Sequence, residues 1–318
     1  MREFGYTPTM QFNHFPTAPD DEGRRLDRIV RRFLPALPLS SVYRLIRKGL
    51  VRIDGKRSAP ESPVPQGSRI WIARLPELEA AHAPPRPESP VPAPSAMPEI
   101  LCECEDLLVI NKPAGIAVHG PDGLDTVIPQ SKAARDSLSF RSGPLHRLDR
   151  GTSGILVFSK TLRGAHWFSQ RIAARECEKL YLGIVAGRLD GRTEWYDETG
   201  DGKPMITFAD PLAASVSGPP RTLALFRIVT GRKHQIRFQC AKHRLPLEGD
   251  TRYNPAASPT DGGYCLHAWK LSFGPGERPE GLPESILAEP PRRFAARISA
   301  LFGKAALARL AERAVYLE

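Results

Sequence analysis

The segment LHRLDRGTSG at residues 145–154 is polar and rich in glycine, and it leads directly into the apolar run ILVF at residues 155–158. A short apolar run bounded by turn residues predicts a buried strand. A carboxylate on the preceding loop would be held by a rigid sheet and would stay open to a ligand. Asp149 lies between two arginines, so we expect it to be ionised and to be a candidate nucleophile. On loop chemistry alone, an Asp that caps the turn before a strand is an equally good interpretation.

Apolar runs on both sides of this segment predict a sheet. Residues 107–110, 181–185 and 223–229 have the length and composition of strands. Apolar residues at helical spacing predict helices over residues 161–176 and 294–302. Strands outnumber helices, and the two do not alternate regularly. The expected fold class is therefore α+β, with a mostly antiparallel mixed sheet and flanking helices.

A second polar segment, TGRKHQIRF at residues 230–238, combines a glycine with several basic side chains. Gly231 is expected to end a strand, and the residues after it are expected to begin a helix. Helix N-termini and cationic side chains attract phosphate. Taken alone, the segment is equally consistent with a basic helix start that binds nothing.

Several common chemistries are absent from the sequence. It contains no GxSxG, Walker, GxGxxG or HExxH motif, and no carboxylate cluster typical of a two-metal site. The five cysteines are odd in number and include no CxxC pair, so a disulfide framework is not expected. Cys102 and Cys104 resemble half of a zinc site, but two thiolates alone do not make one. Buried cysteines in a strand are the favoured interpretation, and no metal is expected.

The composition is that of a globular protein with two domains. The 318 residues are 41% hydrophobic and 25% charged, which excludes full disorder. No apolar run approaches the ~20 residues of a membrane span, and the first residues lack the apolar core of a secretory signal. We therefore expect a cytoplasmic protein that does not contact a membrane.

A proline-rich stretch predicts the domain boundary. Seven of the 32 prolines lie between residues 84 and 98, and such a stretch holds neither a helix nor a central strand. Four segments follow from this boundary: an N-terminal tail at residues 1–20, a small α/β domain at 21–80, a linker at 81–98 and the large domain at 99–318.

The small domain carries most of the positive charge. Residues 21–57 contain eleven Lys or Arg against four Asp or Glu, a net charge of +7 out of +10 for the chain. Apolar spacing predicts a helix from residue 26 and a second one with Ser40 as its N-cap. Gly49 suits the end of that helix, and residues 51–53 and 69–72 predict strands around an Asp-Gly turn. The basic face indicates nucleic-acid binding more than an ordinary solvated surface.

This helix–helix–glycine–strand order resembles the S4 RNA-binding domain over residues 24–72. The matching residues include Arg25-Leu26-Asp27, the run from Ser40 to Gly49, and the run from Val51 to Arg57. The resemblance implies that basic side chains on this face contact RNA. They are Arg25, Arg28, Arg44, Arg47, Lys48 and Arg52.

The large domain resembles the RluA-type pseudouridine synthases over residues 100–273. The motif HRLDxxTSG at residues 146–154 is similar to that family's signature, and KLY at 179–181 and TGRxHQIR at 230–237 are similar to its second and third motifs. NKPxG at 111–115 matches an early motif. Later ones match in Gly249-Asp250, Tyr253 and Leu266-His267-Ala268. The sequence departs from the family at Gln239, at Gly183 and over residues 190–221, which puts the substrate in doubt more than the chemistry.

The resemblance implies a role for each motif residue. Asp149 is the catalytic carboxylate, Arg237 pairs with it, and Tyr181 lies against the uracil and takes the C5 proton in the last step. Further residues are implied to bind or orient the RNA: Ile236 on the base face, Arg147 in the gap left by the flipped uridine, His146 and Thr152 in the loop, and Arg232 and His234 on phosphate. Lys112 and His119 lie near family motifs, and structural roles are as good an interpretation for them.

These roles imply an RNA pseudouridine synthase that needs no cofactor. Large-subunit ribosomal RNA is the expected substrate because an S4 domain often accompanies this catalytic domain in enzymes of that RNA. Transfer RNA is an open alternative, and so is a non-catalytic RNA-binding protein that keeps the fold. A nucleic-acid surface needs no symmetric partner, so we expect a monomer.

Overall fold

The structure is a computed structural model that describes residues 10–75, 78, 97–129, 131–256, 263–306 and 310. The chain divides into two compact units. The first contains residues 1–92, 129–143 and 160–163, and the second contains the remainder. Among the described residues, no helix is long and apolar enough to cross a bilayer.

The first unit is a small helix-and-sheet domain. Its sheet has the order β1–β3–β2 with antiparallel pairing, and two helices cover one side. Leu26, Ile29 and Val30 of the first helix and Val42 and Ile46 of the second are buried against inward residues of the sheet. The elements are β1 (Phe12–Pro16), α1 (Leu26–Phe33), α2 (Leu39–Arg47), β2 (Val51–Ile53) and β3 (Arg69–Ala73).

The structure contradicts two predictions about this region, and a third falls almost entirely outside the described residues. The tail predicted over residues 1–20 is wrong for residues 12–16, because these form β1 and pair with β3. Ser40 is not the N-cap of α2, because Pro38 occupies that position and the helix begins at Leu39. The linker predicted over residues 81–98 lies outside the described residues except at its last two positions.

A ten-stranded sheet is the centre of the second unit. Its main path has the order β4–β5–β7–β12–β8–β11–β10–β9, with β6 beside β7 and β13 beside β12. The strands are β4 (Glu99–Glu103), β5 (Leu107–Lys112), β6 (Gly143–Pro144), β7 (Ser153–Ser159), β8 (Cys177–Ala186), β9 (Thr193–Glu198), β10 (Pro204–Ala214), β11 (Arg221–Ile228), β12 (Leu266–Phe273) and β13 (Ser285–Leu287).

The sheet is mostly antiparallel, as the sequence predicted. The parallel pairing joins β7 to β12, where Ser153 lies beside His267 and Gly154 beside Ala268. The pairings of β4 with β5, β5 with β7, β12 with β8, β8 with β11, and β10 with both β11 and β9 are antiparallel. The fold is therefore α+β with a mixed sheet.

Helices cover both faces of the large sheet. The helices after α2 include α3 (Leu124–Val127), α5 (Leu162–Ala173), α6 (Gln235–Lys242) and α7 (Arg292–Phe302), while α4 (Lys132–Asp136) belongs to the first unit. Side chains alternate along β8, so Tyr181 and Val185 join α6 in one apolar cluster, while Leu180, Leu182 and Ile184 join α7 in another. Helix α7 thus belongs to the core of this unit.

Residues 129–143 belong to the first unit, although we predicted one continuous large domain over residues 99–318. The buried Asp21 carboxylate explains this grouping. It accepts hydrogen bonds from the hydroxyl of Ser137, from the amide of Leu138, and from the amide and hydroxyl of Ser139, at 2.6–3.0 Å. A fifth bond comes from the amide of Ala18. Leu138 also packs against the apolar cluster of α1 and α2.

Candidate active site

The Asp149 loop precedes β7 and is braced from β5. Lys112, at the end of β5, is fully buried, and its ammonium donates to the carbonyls of Pro113, Ile116 and Arg150 at 2.8–3.2 Å. Gly115 and Arg150 exchange two further bonds, amide to carbonyl at 2.8 Å and guanidinium to carbonyl at 2.7 Å. Burial lowers the pKa of Lys112 to about 8, against the opposing field of Asp149. The NKPxG motif therefore holds the loop in place.

The TGRKHQIR segment turns sharply from β11 into α6. His234 adopts a left-handed backbone at φ 57° immediately before the helix. The buried Gln235 amide oxygen accepts from the Thr230 hydroxyl at 2.8 Å and from the Arg232 amide at 3.0 Å. This turn directs Ile236 and Arg237 from the first turn of α6 toward the Asp149 loop. The helix start predicted after Gly231 is present at Gln235.

Arg237 contacts two carboxylates. It donates two hydrogen bonds to Asp250, from Nε at 2.8 Å and Nη2 at 2.9 Å, and its Nη1 lies 3.5 Å from Oδ2 of Asp149. Burial opposes the charge of Arg237, but Asp250, Tyr264 and Asp149 outweigh it, and the pKa of Arg237 is raised. The predicted pairing with Asp149 is therefore present as the longer of two contacts, and Asp250 is the principal partner.

Two tyrosines and a histidine complete the surroundings of this cation. The Arg237 guanidinium lies 4.1 Å from the ring centre of Tyr264 and 5.2 Å from that of Tyr253. Tyr264 also exchanges a hydrogen bond with Thr152 at 3.1 Å. His234 contacts the Tyr253 hydroxyl at 2.9 Å and lies 3.6 Å from Asp149. Burial lowers the pKa of His234, against the opposing charge of Asp149.

Tyr181 lies on β8 and is buried. Burial first, and then the charge of Asp149, raise the pKa of its hydroxyl well above its ordinary value. The side chain is therefore a neutral phenol at physiological pH.

A cleft of about 80 Å³ lies between the Asp149 loop, Tyr181 and the start of α6. Among the predicted residues, its lining includes the three implied catalytic side chains Asp149, Tyr181 and Arg237. It also includes Arg147, Thr152, Arg232, His234 and Ile236. Ile236 is 5% exposed and Ile228 is 9% exposed, so part of the wall is apolar. The arrangement is a carboxylate held beside a fixed cation, in a small cleft whose wall is partly apolar.

His146 is not among the residues that line this cleft. Its Nε2 accepts the amide of Val157 at 3.1 Å, and its ring stacks on Phe168 at 5.8 Å between centres. Burial lowers the pKa of His146 to about 4, so the ring is a neutral acceptor. Its contacts hold the loop against β7, and the structure shows no contact with the cleft.

The sequence analysis gave no role to Asp250, Tyr253 and Tyr264, and it left Lys112 open between a functional and a structural role; the structure places all four around the loop. Asp250 and Tyr253 were noted only as matches to a family motif, and no sequence pattern marked Tyr264 as a site residue. Among the described residues, no group of three or more His, Cys, Asp or Glu side chains could hold a metal.

The basic side chains of the first unit differ in how far they are already engaged. Arg25 donates to Asp27 at 2.7 and 3.1 Å, which lowers the pKa of Asp27, and Arg52 donates to the carbonyls of Gly49 and Gly55. Four others are exposed on α1, on α2 or directly after it: Arg28, Arg44, Arg47 and Lys48. Of these, Arg44 donates to the Ser41 hydroxyl at 3.3 Å, and Arg47 lies 5.9 Å from the ring centre of Tyr43.

The comparisons with known proteins agree with this geometry. Residues 106–242 match the family model described as RNA pseudouridylate synthase, and residues 24–70 match the S4 domain model. The chain is 31% identical to ribosomal large subunit pseudouridine synthase C of Escherichia coli K12, over 74% of this chain and 77% of that protein. It is 29% identical to ribosomal large subunit pseudouridine synthase D of Xylella fastidiosa, over 93% and 95%.

One solved structure supports the fold itself. It is human RNA pseudouridylate synthase domain containing 4, with a TM-score of 0.52 and 22% identity, over 64% of this chain and 92% of that one.

Proposed function

The chain belongs to the RluA-type RNA pseudouridine synthases, and from this premise we propose that it isomerises specific uridines of large-subunit ribosomal RNA. The substrate class is supported by the names of relatives C and D and by the S4 domain ahead of the catalytic domain. The observation that carries the chemistry is the Asp149 carboxylate, held 3.5 Å from the fixed cation of Arg237 in a cleft shared with Tyr181.

The reaction breaks the bond between N1 of uracil and C1′ of ribose and forms a bond from C5 to C1′. The base must rotate between these steps, N1 gains a proton and C5 loses one. Asp149 supplies the carboxylate that acts on the sugar or the base. Arg237 keeps it charged and oriented, because Asp250 fixes the guanidinium from the other side.

Residues of the cleft wall act before the N1–C1′ bond breaks and after the C5–C1′ bond forms. Ile236 packs on the base, and exposed Arg147 fills the place that the flipped uridine leaves in its helix. Tyr181 is proposed to take the C5 proton in the last step. Its raised pKa means that the resting site holds the phenol, so Tyr181 takes the C5 proton only as its own hydroxyl proton passes to a base such as the Asp149 carboxylate released from the sugar or the base.

The test is release of tritium from C5-labelled uridine in cellular RNA, with ribosomal and transfer fractions assayed separately. We expect release from the ribosomal fraction by the wild type, and a loss of at least about 10³-fold in Asp149→Asn. Asp190→Asn is the matched control, because its carboxylate is 80% exposed and pairs with Arg188 on the surface. Release from transfer RNA alone would contradict the ribosomal substrate. Full activity of Asp149→Asn would contradict the mechanism.

We also propose that the enzyme acts as a monomer in the cytoplasm, where ribosomal RNA is made in bacteria. The support is general, since a basic RNA surface needs no second copy to complete it. Light scattering of the purified chain should give a mass near 35.1 kDa, and a stable dimer would contradict the proposal.

A further inference from the structure

A second, larger cavity adjoins the Asp149 cleft and has no role in the account above. Its volume is about 620 Å³, within the range of ligand pockets. It shares Arg147, Tyr181, Ile228, Gly231 and Arg232 with the cleft. A ligand in one site therefore lies next to a ligand in the other.

The cavity has its origin in the sheet. β7 and β12 pair over only two residue positions, ending at Gly154 and Ala268, and a bulge follows in β12 between Ala268 and Lys270. The cavity lies beyond that point and is lined by Ile155 of β7 and by Ala268, Lys270 and Leu271 of β12. Helix α5 contributes Phe168, Ser169, Ile172 and Ala173 to its wall. The opening is thus built into the strand pairing.

The lining combines apolar walls with positive charge. Ile172, Ile228 and Leu271 offer apolar surface, while no Asp or Glu is among the described residues that line the cavity. Five lining side chains are Lys or Arg: Arg147, Arg175, Lys179, Arg232 and Lys270. A ligand that fits is partly apolar and carries negative charge.

Among these cations, Lys179 gives the strongest indication that the cavity binds an anion. It lies two residues before Tyr181 on β8, so both side chains project from the same face of the strand. It is half-buried, and within the described part of the chain it forms no ion pair with a carboxylate. Burial lowers the pKa of its ammonium, against the smaller opposing effect of Cys177. An anion in the cavity would supply that partner.

We propose that this cavity binds a second unpaired nucleotide of the RNA, adjacent in the strand to the uridine in the Asp149 cleft. Its base packs against Ile172, Ile228 and Leu271, and its phosphate lies on Lys179 and Arg175. The inference rests on the proposed function and extends it: the substrate presents two neighbouring unstacked nucleotides.

The test uses two variants with different effects. Lys179→Met removes the charge and keeps the length of the side chain, and Ile172→Trp fills the cavity. Lys203→Met is the matched charge control, because Lys203 pairs with Asp201 on the surface, and Ile100→Trp controls for bulk at a side chain that is 53% exposed. Thermal unfolding comes first, so that a variant that fails to fold is replaced by Lys179→Gln or Ile172→Phe.

Binding is measured with a labelled octauridylate as probe, over a range of salt concentrations. We expect Lys179→Met to reduce the slope of log affinity against log salt by about 1, the effect of one phosphate contact, and Ile172→Trp to weaken binding about tenfold. Wild-type slope and affinity in both variants would overturn the proposal. This readout needs no turnover, so it separates failure of the cavity from failure of the proposed reaction.

The position of the nucleotide is then tested in a synthetic RNA that contains the modified uridine. Each neighbour of the uridine is replaced in turn by an abasic nucleotide. We expect one adjacent position to raise KM about tenfold with wild type and to have no further effect with Ile172→Trp. Equal KM at every position with wild type would overturn the proposal, even if tritium release is normal.

Discussion

Arg237 contacts two carboxylates, one through two hydrogen bonds and the other through a single longer contact. This difference explains how the Asp149 oxygens avoid strong hydrogen bonds from the guanidinium. Asp250 takes the two good hydrogen bonds of the guanidinium, and Asp149 receives a contact of 3.5 Å. A bidentate bond to Asp149 would occupy the oxygens that the proposed reaction uses. Asp250 therefore fixes the cation in place, and Asp149 gains a positive neighbour without being tied to it.

We predict that Asp250→Asn lowers kcat by about 10²-fold with little change in KM, because the misplaced guanidinium no longer orients Asp149. Steady-state tritium release measures both constants. Asp210→Asn is the control, since that carboxylate is 29% exposed and its contact with Arg192 is 3.7 Å long. A proportional rise in KM with unchanged kcat would instead indicate a direct role of Asp250 in RNA binding.

The extent to which sequence anticipated the site differs from residue to residue. Asp149, Tyr181 and Arg237 stand in recognisable motifs, and the structure brings them into one cleft. Tyr264 could not be found, because its contact with Arg237 depends on the fold and not on spacing. His146 lies in the same motif as Asp149, yet strand periodicity does not reveal that its ring accepts the amide of Val157.

At the scale of elements, Gly154 allows β7 and β12 to pair in parallel. It has φ 109°, and a Cβ at this position would collide with the backbone of Ala268 on β12. The glycine that ends the HRLDxxTSG motif therefore serves the close approach of β7 and β12, directly beside the cavity.

We predict that Gly154→Ala destabilises the protein by about 3 kcal/mol, because the two strands must separate or the backbone must change conformation. Gly191→Ala is the control, since nothing lies within 4 Å of its added Cβ and its backbone angle is ordinary. Urea unfolding followed by tryptophan fluorescence compares the two. Equal midpoints would show that the junction relaxes without cost.

His267 also stabilises the place where β7 and β12 pair in parallel. Its ring is fully buried, Nε2 donates to the carbonyl of Ala288 at 2.9 Å, and Nδ1 accepts from the hydroxyl of Ser153 at 2.8 Å. A carbonyl can only accept, so the proton must be on Nε2. Burial lowers the pKa of His267 to about 4.

This lowered pKa predicts a loss of stability in acid. The unfolded imidazole takes up a proton near pH 6.5 and the folded one only near pH 4, so protons favour the unfolded state between these values. We expect His267 to account for about 3 kcal/mol of the fall in unfolding free energy from pH 7 to pH 4. Denaturant titrations of wild type and His267→Gln at several pH values measure the difference, and parallel curves would refute the assignment.

Elements with strong apolar periodicity were predictable, and strands β9 and β10 were not. The helices around α1, α5 and α7 and the strands β5, β7, β8 and β11 follow from apolar spacing. β9 is the last strand of the sheet, and β10 lies between it and β11. Both escaped prediction because alternate side chains of each strand are partly or fully exposed, and charged residues and prolines interrupt the apolar pattern.

At the scale of the whole molecule, Asp21 shows that chain order and folding unit differ. Five donors converge on its fully buried carboxylate, four of them from residues 137–139. These residues are more than a hundred positions away in sequence, so no local pattern could have revealed the contact.

We predict that Asp21→Ala destabilises the first unit by about 3 kcal/mol, since buried amides and hydroxyls lose their acceptor. Hydrogen exchange should accelerate at the amides of Leu138 and Ser139. Asp54→Ala serves as the control, because Asp54 also accepts a backbone amide, from Arg69, but at an exposed turn. Unchanged protection at residues 138–139 would contradict the role given to Asp21.

The Asp21 contact also limits how this protein can be engineered. An expression fragment that begins at residue 99 retains Ser137, Leu138 and Ser139 but lacks their acceptor and the apolar surface on which Leu138 packs. Such a fragment should be prone to aggregation and proteolysis at residues 129–143, whether or not its catalytic cleft is intact. An exchange of RNA-binding modules between relatives should therefore transfer residues 129–143 together with the N-terminal module.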